Sequence, residues 1–198
     1  VIAQRLLDMI RDGDDPEPLA LFLDRLMLNP LESAREELYL WLEAGDAPFT
    51  PDGHFLAFKR VRENFTDCHT GKMDNSPGKI VEMPREKVDA DRARTCSHGL
   101  HFCQHAYLSH FGGARTIIVK IDPADVVSIP MDYNNQKGRC WRYEVVGEVD
   151  NDTSKNKDHS KGVNVDKRYE SKPQEPLTDQ QKAIINIAAS VSGGPLYT

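Results

Sequence analysis

Apolar residues recur three and four positions apart along residues 1–48, as they do on one face of an amphipathic helix. Breaks at Gly13 and at Asn29-Pro30 separate three such stripes, and the third ends near Gly45 and Pro48. The stripes comprise Ile2, Leu6, Leu7 and Ile10; Leu19, Phe22, Leu23, Leu26 and Met27; and Leu31, Ala34, Leu38, Trp41 and Leu42. The pattern predicts a helical subdomain over residues 1–48, which serves either as a structural cap or as a partner-binding helix surface.

Residues 49–150 change to short apolar runs bounded by turn residues, which are typical of β-strands. The predicted strands are Phe55 to Val61, Lys79 to Met83, Thr116 to Ile121, Val126 to Ile129, and Arg139 to Val149 with a bulge near Gly147. One short helix, from Ala106 to Phe111, interrupts them. Because turns link most of these runs, the pattern favours a mixed or antiparallel sheet. We predict an α+β core domain over residues 49–150, with the N-terminal helical cap packed on it.

The end of the chain changes character twice. Residues 151–176 are rich in Lys, Asp, Asn and Ser and predict a flexible polar linker. Residues 177–198 predict a C-terminal helix that begins with the capping box Thr178-Asp179-Gln180-Gln181. Its apolar stripe is narrow, which slightly favours docking on another chain, and so oligomerisation, over docking on its own domain.

Composition excludes some classes of function. The net charge of -6 argues against general nucleic-acid binding, and no apolar run approaches the ~20 residues that span a bilayer. Four cysteines among 198 residues are too few for a secreted disulfide scaffold, so reduced thiols in a cytosolic protein are expected. No signal peptide is visible, and the first residue is Val1, which leaves open whether the chain is trimmed.

The stretch from Thr95 to His105 concentrates two cysteines and three histidines. Sulfur and imidazole ligands suit zinc, and the candidate ligands are Cys96, His98, His101 and Cys103. The spacing fits known zinc motifs poorly, so packing with local hydrogen bonds is favoured and no cofactor is expected. A cysteine nucleophile activated by a neighbouring histidine is a further alternative.

Basic residues suggest an anion site. Lys59, Arg60 and Arg62 on the first strand could meet Arg139 and Arg142 on the last and hold a phosphate. No GxxxxGK[ST] or GxGxxG motif supports this, and solvated edge charges are the preferred interpretation. The candidate crevice residues are Lys59, Arg60, His98, His101, Asp132, Tyr133 and Asn134.

Several unusual strings resemble the rIIB-like proteins of tailed bacteriophages, in the same order over residues 1–150. They are DGHFLAFK from Asp52, MDNSPG from Met73, VEMPR from Val81, TCSHGLH from Thr95, DPADVV from Asp122, DYNN from Asp132 and RYEVVGE from Arg142. The resemblance implies a role in lysis control, host membrane state or prophage exclusion, together with an rIIA-type partner. It implies no catalytic mechanism.

A weaker resemblance is to the ADP-ribosyltransferase fold. Gly99-Leu100-His101-Phe102, followed by a short helix, is similar to a glycine-hydrophobic-aromatic element of that fold, with His101 at the aromatic position. Lys59 lies near the place of a nicotinamide-binding His or Arg, and no catalytic Glu can be placed. The resemblance implies at most a degenerate nucleotide-binding relative.

Three hypotheses follow. The favoured one is a phage accessory protein, leaning towards a non-enzyme, that binds an rIIA-type phage protein or a host factor during host takeover, lysis control or counter-defence. It is expected in the host cytoplasm, with peripheral association at the inner membrane left open. The second is a nucleotide binder or degenerate transferase that uses the crevice near His101. The third is a zinc-stabilised structural module.

Overall fold

The computed structural model describes residues 11–43 and 47–149. Residues 11 and 12 are helical, and two complete α-helices, α1 (Glu17–Met27) and α2 (Glu32–Glu43), follow before a β-sheet. Its strands are β1 (Phe55–Val61), β2 (Ile80–Glu82), β3 (Leu100–Cys103), β4 (Arg115–Ile121), β5 (Val126–Ser128), β6 (Lys137–Cys140) and β7 (Arg142–Glu148). The predicted stripe at residues 2–10, the linker and the C-terminal helix lie outside the described residues.

Helix α1 carries the predicted stripe with one correction. Leu19, Phe22 and Leu26 are buried, but Met27 is 64% exposed. The helix ends at Met27 because the chain turns towards Asn29, whose side-chain amide donates to the carbonyls of residues 123 and 126 at 2.9 and 2.7 Å. This docking draws the last residue of the stripe away from the core.

The sheet is antiparallel throughout, in the order β2-β7-β4-β1-β3-β6-β5. The longest pairing joins β1 to β4, in register from Phe55↔Ile121 to Val61↔Arg115. This confirms the antiparallel alternative of the predicted α+β fold. It also fixes which turns meet at each end of the two central strands.

The predicted strand from Arg139 to Val149 is wrong as one continuous element. It is divided at Trp141 into β6, between β3 and β5, and β7, between β2 and β4. Trp141 accepts a backbone hydrogen bond from Met83 and donates one to Asp125, so the chain passes between two edge segments at this point. The predicted bulge is confirmed, because Val119 pairs with Val145 while Ile118 pairs with Gly147.

The helices and the sheet share one core of aromatic side chains. The Trp41 ring lies 5.0 Å from the Phe55 ring and 5.5 Å from the Phe102 ring, and the Phe22 ring lies 6.1 Å from that of Phe55. All four side chains are fully buried, and each such burial stabilises the fold by roughly 1.5–3 kcal/mol or more. The helical cap is therefore packed on the sheet as predicted, while the proposed boundary at residue 48 stays a prediction.

Two connections differ in detail from the predicted pattern. The short helix predicted from Ala106 to Phe111 is a 3-10 helix at His105–His110, which begins two residues after β3 ends at Cys103. Between β5 and β6 the chain contains a further 3-10 turn, Tyr133–Asn135. Before β3, Gly99 has φ 148°, and a Cβ there would lie 2.9 Å from Val88 Cγ1, which explains the glycine at this turn.

Candidate functional site

Lys59 is buried in β1 and joins that strand to β3. Its Nζ donates to the backbone oxygen of His101 at 2.8 Å and lies 5.9 and 5.8 Å from the ring centres of Phe111 and Tyr143. Among the described residues no carboxylate lies within 4 Å of this ammonium group. Burial lowers the pKa of Lys59, because the charged form loses its hydration. Two of the candidate crevice residues, Lys59 and His101, therefore contact each other through the backbone of His101.

The His101 imidazole is surrounded by positive charge. Burial, together with Lys59, Arg139 and Lys137, lowers its pKa to about 3. His101 pairs with Arg139 across β3 and β6. The ring is therefore neutral at physiological pH, where it can donate or accept a hydrogen bond but does not add charge to hold an anion.

The remaining basic residues are dispersed over the sheet. Arg139 is fully buried and donates to the carbonyls of Arg94 and Asp91 at 2.8 and 2.7 Å. Arg60 donates to Thr116 Oγ1 at 3.1 Å, and the Arg142 Nε lies 3.6 Å from Glu82 Oε2. Arg62 donates one hydrogen bond to the backbone carbonyl of Cys68 at 3.1 Å. The alternative in which these arginines meet around a phosphate finds no support in this geometry, because each one has a local acceptor. The preferred interpretation, solvated edge charges, is wrong for Arg139, which is fully buried.

The loop at residues 131–136 (the Tyr133 loop) carries the other predicted crevice residues. Tyr133, Asn134 and Asn135 have φ of 50°, 54° and 57°, a left-handed conformation that asparagine tolerates but that costs a residue such as tyrosine of order 1–3 kcal/mol. Asp132 holds the loop through an ion pair with the buried Lys137 at 2.8 Å. The loop is therefore fixed by its neighbours in a strained conformation.

The Tyr133 side chain is 48% exposed and rests on other rings. Its ring lies 5.0 Å from that of Tyr107 and 5.1 Å from that of His110, and the Lys137 ammonium lies 5.4 Å from it. Next to it in the same loop, Met131 is 54% exposed. In contrast, His98 is exposed in the turn before β3 and forms no hydrogen bond or ion pair with Lys59 or His101 in the described ranges.

The cysteines occupy unlike environments. Cys96 is exposed, whereas Cys103 and Cys140 are buried, and burial raises the pKa of the Cys103 thiol to about 12. A nucleophilic cysteine needs the opposite shift. The described residues contain no group of three His, Cys, Asp or Glu side chains placed to hold a metal ion. The geometry thus lends no support to the zinc alternative.

A second site, which sequence reasoning missed, lies where β1 starts and β4 ends. It is a cleft of about 100 Å³, here named the His54 cleft. Its lining residues are His54, Ile80, Lys120, Asp122, Asp125, Arg142, Tyr143 and Glu144. His54 lies between two carboxylates, with Nδ1 3.3 Å from Asp52 and Nε2 3.7 Å from Asp122.

Ion pairs form the wall of the His54 cleft. The Lys120 ammonium lies 2.5 Å from Asp52, and the Arg25 guanidinium of α1 lies 2.7 Å from Asp122. Asp125 is different, because burial and the neighbouring Asp122 raise its pKa to about 6, against the opposing effects of Arg142, Arg85 and Trp141. The cleft thus combines an imidazole, fixed ion pairs and a carboxyl group that titrates near neutral pH.

A sequence signal for this site existed in the turns. Asp52-Gly53-His54 directly precedes β1, and Asp122 directly follows β4. In an antiparallel pair, the start of one strand meets the end of the other. The site becomes visible only when β1 and β4 are known to be partners, because Phe55 and its partner Ile121 are 66 positions apart in the sequence.

Comparison with known proteins places the chain in a family. A family model described as "Bacteriophage T4 protein rIIB" matches residues 1–157. Protein rIIB of Enterobacteria phage T4 is 47% identical over 150 residues, which cover 75% of this chain and 48% of that protein. The chain thus spans about half the length of this relative.

Two further findings concern solved structures and membrane-spanning helices. No solved structure matches the chain, so the weaker resemblance to ADP-ribosyltransferases stays a prediction. Within the described residues, none of the helices has the length and apolar character required to cross a bilayer. The match over most of the sequence confirms the rIIB-like resemblance, and the chain belongs to the bacteriophage T4 rIIB family.

Proposed function

We propose that this chain is the partner-binding part of a phage accessory protein that acts in host takeover, lysis control or counter-defence. Its partner is an rIIA-type phage protein or a host factor. The site of action is the host cytoplasm, including the inner face of the membrane. The observation that carries the proposal is the Tyr133 loop, in which a strained backbone displays two large apolar side chains.

The strain in the Tyr133 loop supports a binding role. Three consecutive residues adopt a left-handed conformation that Gly would adopt at no steric cost, and the strain lies chiefly at Tyr133 because asparagine tolerates it. Such strain concentrates at functional sites, where a fixed conformation is needed before a ligand arrives. Buried oxygens of Asp132 and Asn135 have no hydrogen-bond partner within the described part of the chain, which adds to the cost of the loop.

The side chains that the loop displays have the chemistry of a protein interface. Tyrosine and methionine are enriched in the cores of interfaces, and aromatic anchors often dominate the binding energy. Tyr133 is supported from behind by Tyr107 and His110, so it loses little conformational entropy on binding. Met131 and Tyr133 are therefore the expected anchors for the partner.

The basic residues near His101 fit this proposal better than the nucleotide-binding alternative. Lys59 and Arg139 donate to backbone carbonyls within the protein. A phosphate would have to replace these bonds, and both groups are buried. Their present role is to hold β3 and β6, and with them the Tyr133 loop, in place.

Binding of the purified rIIA-type protein of the same phage tests the proposal. The double variant Met131→Ser/Tyr133→Ser should weaken binding at least tenfold, which corresponds to the loss of one interface anchor. Biolayer interferometry measures the affinity, and affinity purification from infected cells tests host factors in parallel. A matched control is Met27→Ser/Leu28→Ser, which removes two other apolar side chains that are 64% and 74% exposed.

Thermal unfolding must show that both double variants are folded. Equal affinity of the wild-type chain and the Met131→Ser/Tyr133→Ser variant would refute the role of the Tyr133 loop. If neither the rIIA-type protein nor a stoichiometric host protein binds the wild-type chain, the binding function itself is refuted.

A further inference from the structure

We propose that the edge strand β2 binds an extended peptide segment of another protein, which adds one more antiparallel strand to the sheet. The segment carries a Lys or Arg opposite Glu82 and an aliphatic residue opposite Ile80. This surface lies at one edge of the sheet, whereas the Tyr133 loop joins β5 to β6 at the other edge. The proposal therefore adds a second interaction surface and does not depend on the Tyr133 loop.

The backbone of β2 offers hydrogen bonds on its outer side. Among the described strands, β2 pairs with β7 alone. The carbonyl of Lys79 and the N–H of Met83 form hydrogen bonds towards this neighbour, at 2.8 and 2.9 Å. Because the direction of these groups alternates along a strand, the N–H and C=O groups of Ile80 and Glu82 point away from β7. Within the described part of the chain, these four groups have no other hydrogen-bond partner.

The opposite edge of the sheet is closed by side chains. The Asn29 amide donates to the carbonyl of Val126 in β5 at 2.7 Å, and the Glu37 carboxylate accepts from the N–H of Ile129, just beyond β5, at 2.9 Å. No side chain of the described residues caps β2 in this way. Since proteins commonly cover a sheet edge, the difference between the two edges marks β2 as the surface for strand addition.

The exposed side chains of β2 specify what the added strand carries. Ile80 and Glu82 are two positions apart and so project from the same face, where Ile80 is 54% exposed and the Glu82 side chain 64%. The Arg142 Nε lies 3.6 Å from the Glu82 carboxylate and forms no hydrogen bond. An aliphatic residue opposite Ile80 and a cation opposite Glu82 are the complementary cross-strand pairs. In an antiparallel strand the cation precedes the aliphatic residue by two positions.

A second copy of this chain matches the edge less well. With a twofold axis at Val81, Glu82 of each copy would lie opposite Ile80 of the other, and with the axis at Glu82 two carboxylates would meet. An axis at Ile80 leaves one hydrogen-bonded pair, because the N–H of Gly78 is already bonded to the carbonyl of Val145 at 2.7 Å. Charge and register therefore favour a different chain as the occupant.

The ends of β2 limit the length of the peptide. Gly78 is bonded to β7 on one side, and on the other Pro84 follows Met83 directly and has no N–H group. The edge thus accommodates about five residues with four backbone hydrogen bonds. So short an edge disfavours general strand addition and leaves the two side-chain pairs to select the partner.

A titration of the isotopically labelled full chain, followed by NMR, tests the proposal. The probe is the acetylated and amidated peptide Thr-Lys-Thr-Val-Thr, whose Lys faces Glu82 and whose Val faces Ile80 in the antiparallel register. Saturable binding is expected, and at saturation hydrogen exchange of the Ile80 and Glu82 amides should slow about tenfold. The exchange of the Val81 amide should not change, because it already faces β7. The reversed peptide Thr-Val-Thr-Lys-Thr, of the same composition, should bind about fivefold more weakly, because it loses both cross-strand pairs.

Methylation of single peptide nitrogens separates strand addition from other modes of binding. A methyl group on the nitrogen of the peptide Val removes the hydrogen bond to the Ile80 carbonyl and should weaken binding about tenfold. The same group on the central Thr, whose N–H points away from β2, is the matched control and should change the affinity by less than about threefold. Equal losses from the two methylated peptides would refute strand addition.

A charge exchange connects the binding to Glu82. The variant Glu82→Lys should prefer the peptide Thr-Glu-Thr-Val-Thr, whereas Glu36→Lys, at an exposed acid on α2, should keep the preference of the wild-type chain. The variant Met131→Ser/Tyr133→Ser should bind the probe like the wild-type chain, so failure here is distinct from failure of the partner-binding function. Amide spectra report whether each variant is folded.

Three results would overturn the proposal. The first is the absence of saturable binding of the probe. The second is a reversed peptide that binds as tightly as the probe. The third is a change of the Ile80 and Glu82 signals with protein concentration in place of peptide binding, which would assign the edge to a second copy of the chain.

Discussion

The contact between Gly138 and Phe102 gives the sharpest test of the fold. These residues are paired across β6 and β3, and the Phe102 ring lies over the glycine. A Cβ atom at Gly138 would lie 2.1 Å from Phe102 Cζ and 2.6 and 2.7 Å from the two Cε atoms. Real carbon contacts are about 3.5–4 Å, so in Gly138→Ala the ring has to move by more than about 1 Å.

The ring has nowhere to move without cost. Phe102 is fully buried, and its ring lies 5.5 Å from that of Trp41 and 5.7 Å from that of Phe55. Overpacking of this kind costs about 3 kcal/mol, the upper end of the usual range. The reduced freedom of the unfolded chain offsets roughly 0.4–1 kcal/mol of this. We expect Gly138→Ala to lower the free energy of unfolding by about 2–3 kcal/mol, and Tm by roughly 5–10 °C.

Urea unfolding followed by tryptophan fluorescence measures this change. A double-mutant cycle with Phe102→Leu identifies its cause, because the smaller side chain makes room for the new methyl group. Phe102→Leu by itself should cost about 1–2 kcal/mol, and the double variant should be more stable than the sum of the single changes by at least about 1 kcal/mol. Strict additivity, or a Gly138→Ala variant as stable as the wild-type chain, would refute the reasoning.

Three further predictions concern titration and reactivity. Asp67 accepts backbone hydrogen bonds from residues 70, 72 and 73, which hold its pKa well below the usual range. Because the pKa is lower in the folded chain, the Asp67 carboxylate stabilises the fold fully above its unfolded pKa of about 3.9, and this stabilisation is lost as the pH falls towards the folded pKa. In urea unfolding, Asp67→Asn should therefore lower the free energy of unfolding by about 1–3 kcal/mol at pH 7 and by less at pH 3. Maleimide should label the exposed Cys96 rapidly in the native chain. Cys103 and Cys140 should be labelled only after unfolding, because both thiols are buried and their pKa values are raised. Mass spectrometry locates the labelled residues, and rapid labelling of Cys103 or Cys140 in the native chain would contradict the prediction. The ring signals of His101 should not shift between pH 8 and pH 5 in an NMR titration, since its pKa is about 3, and a midpoint near 6.5 would show that the ring is solvated.

The sequence determined the helices and most strands of the described region, because periodicity is a local property. Leu19, Phe22 and Leu26 mark one face of α1, and the β-branched run at residues 116–121 marks the central strand β4. The same local pattern could not reveal that Met27 leaves the core. That exposure depends on the docking of Asn29 against carbonyls almost one hundred residues away.

The candidate sites likewise include one that the sequence indicated and one that only the fold assembles. Unusual strings such as Asp132-Tyr133-Asn134-Asn135 indicated the family and the Tyr133 loop, because they are contiguous in the chain. The division of residues 137–148 at Trp141 and the assembly of the His54 cleft were decided by strand order. Pairing between distant segments depends on the whole sheet and not on local propensity, so only the tertiary structure brings Asp52 and His54 to Lys120 and Asp122.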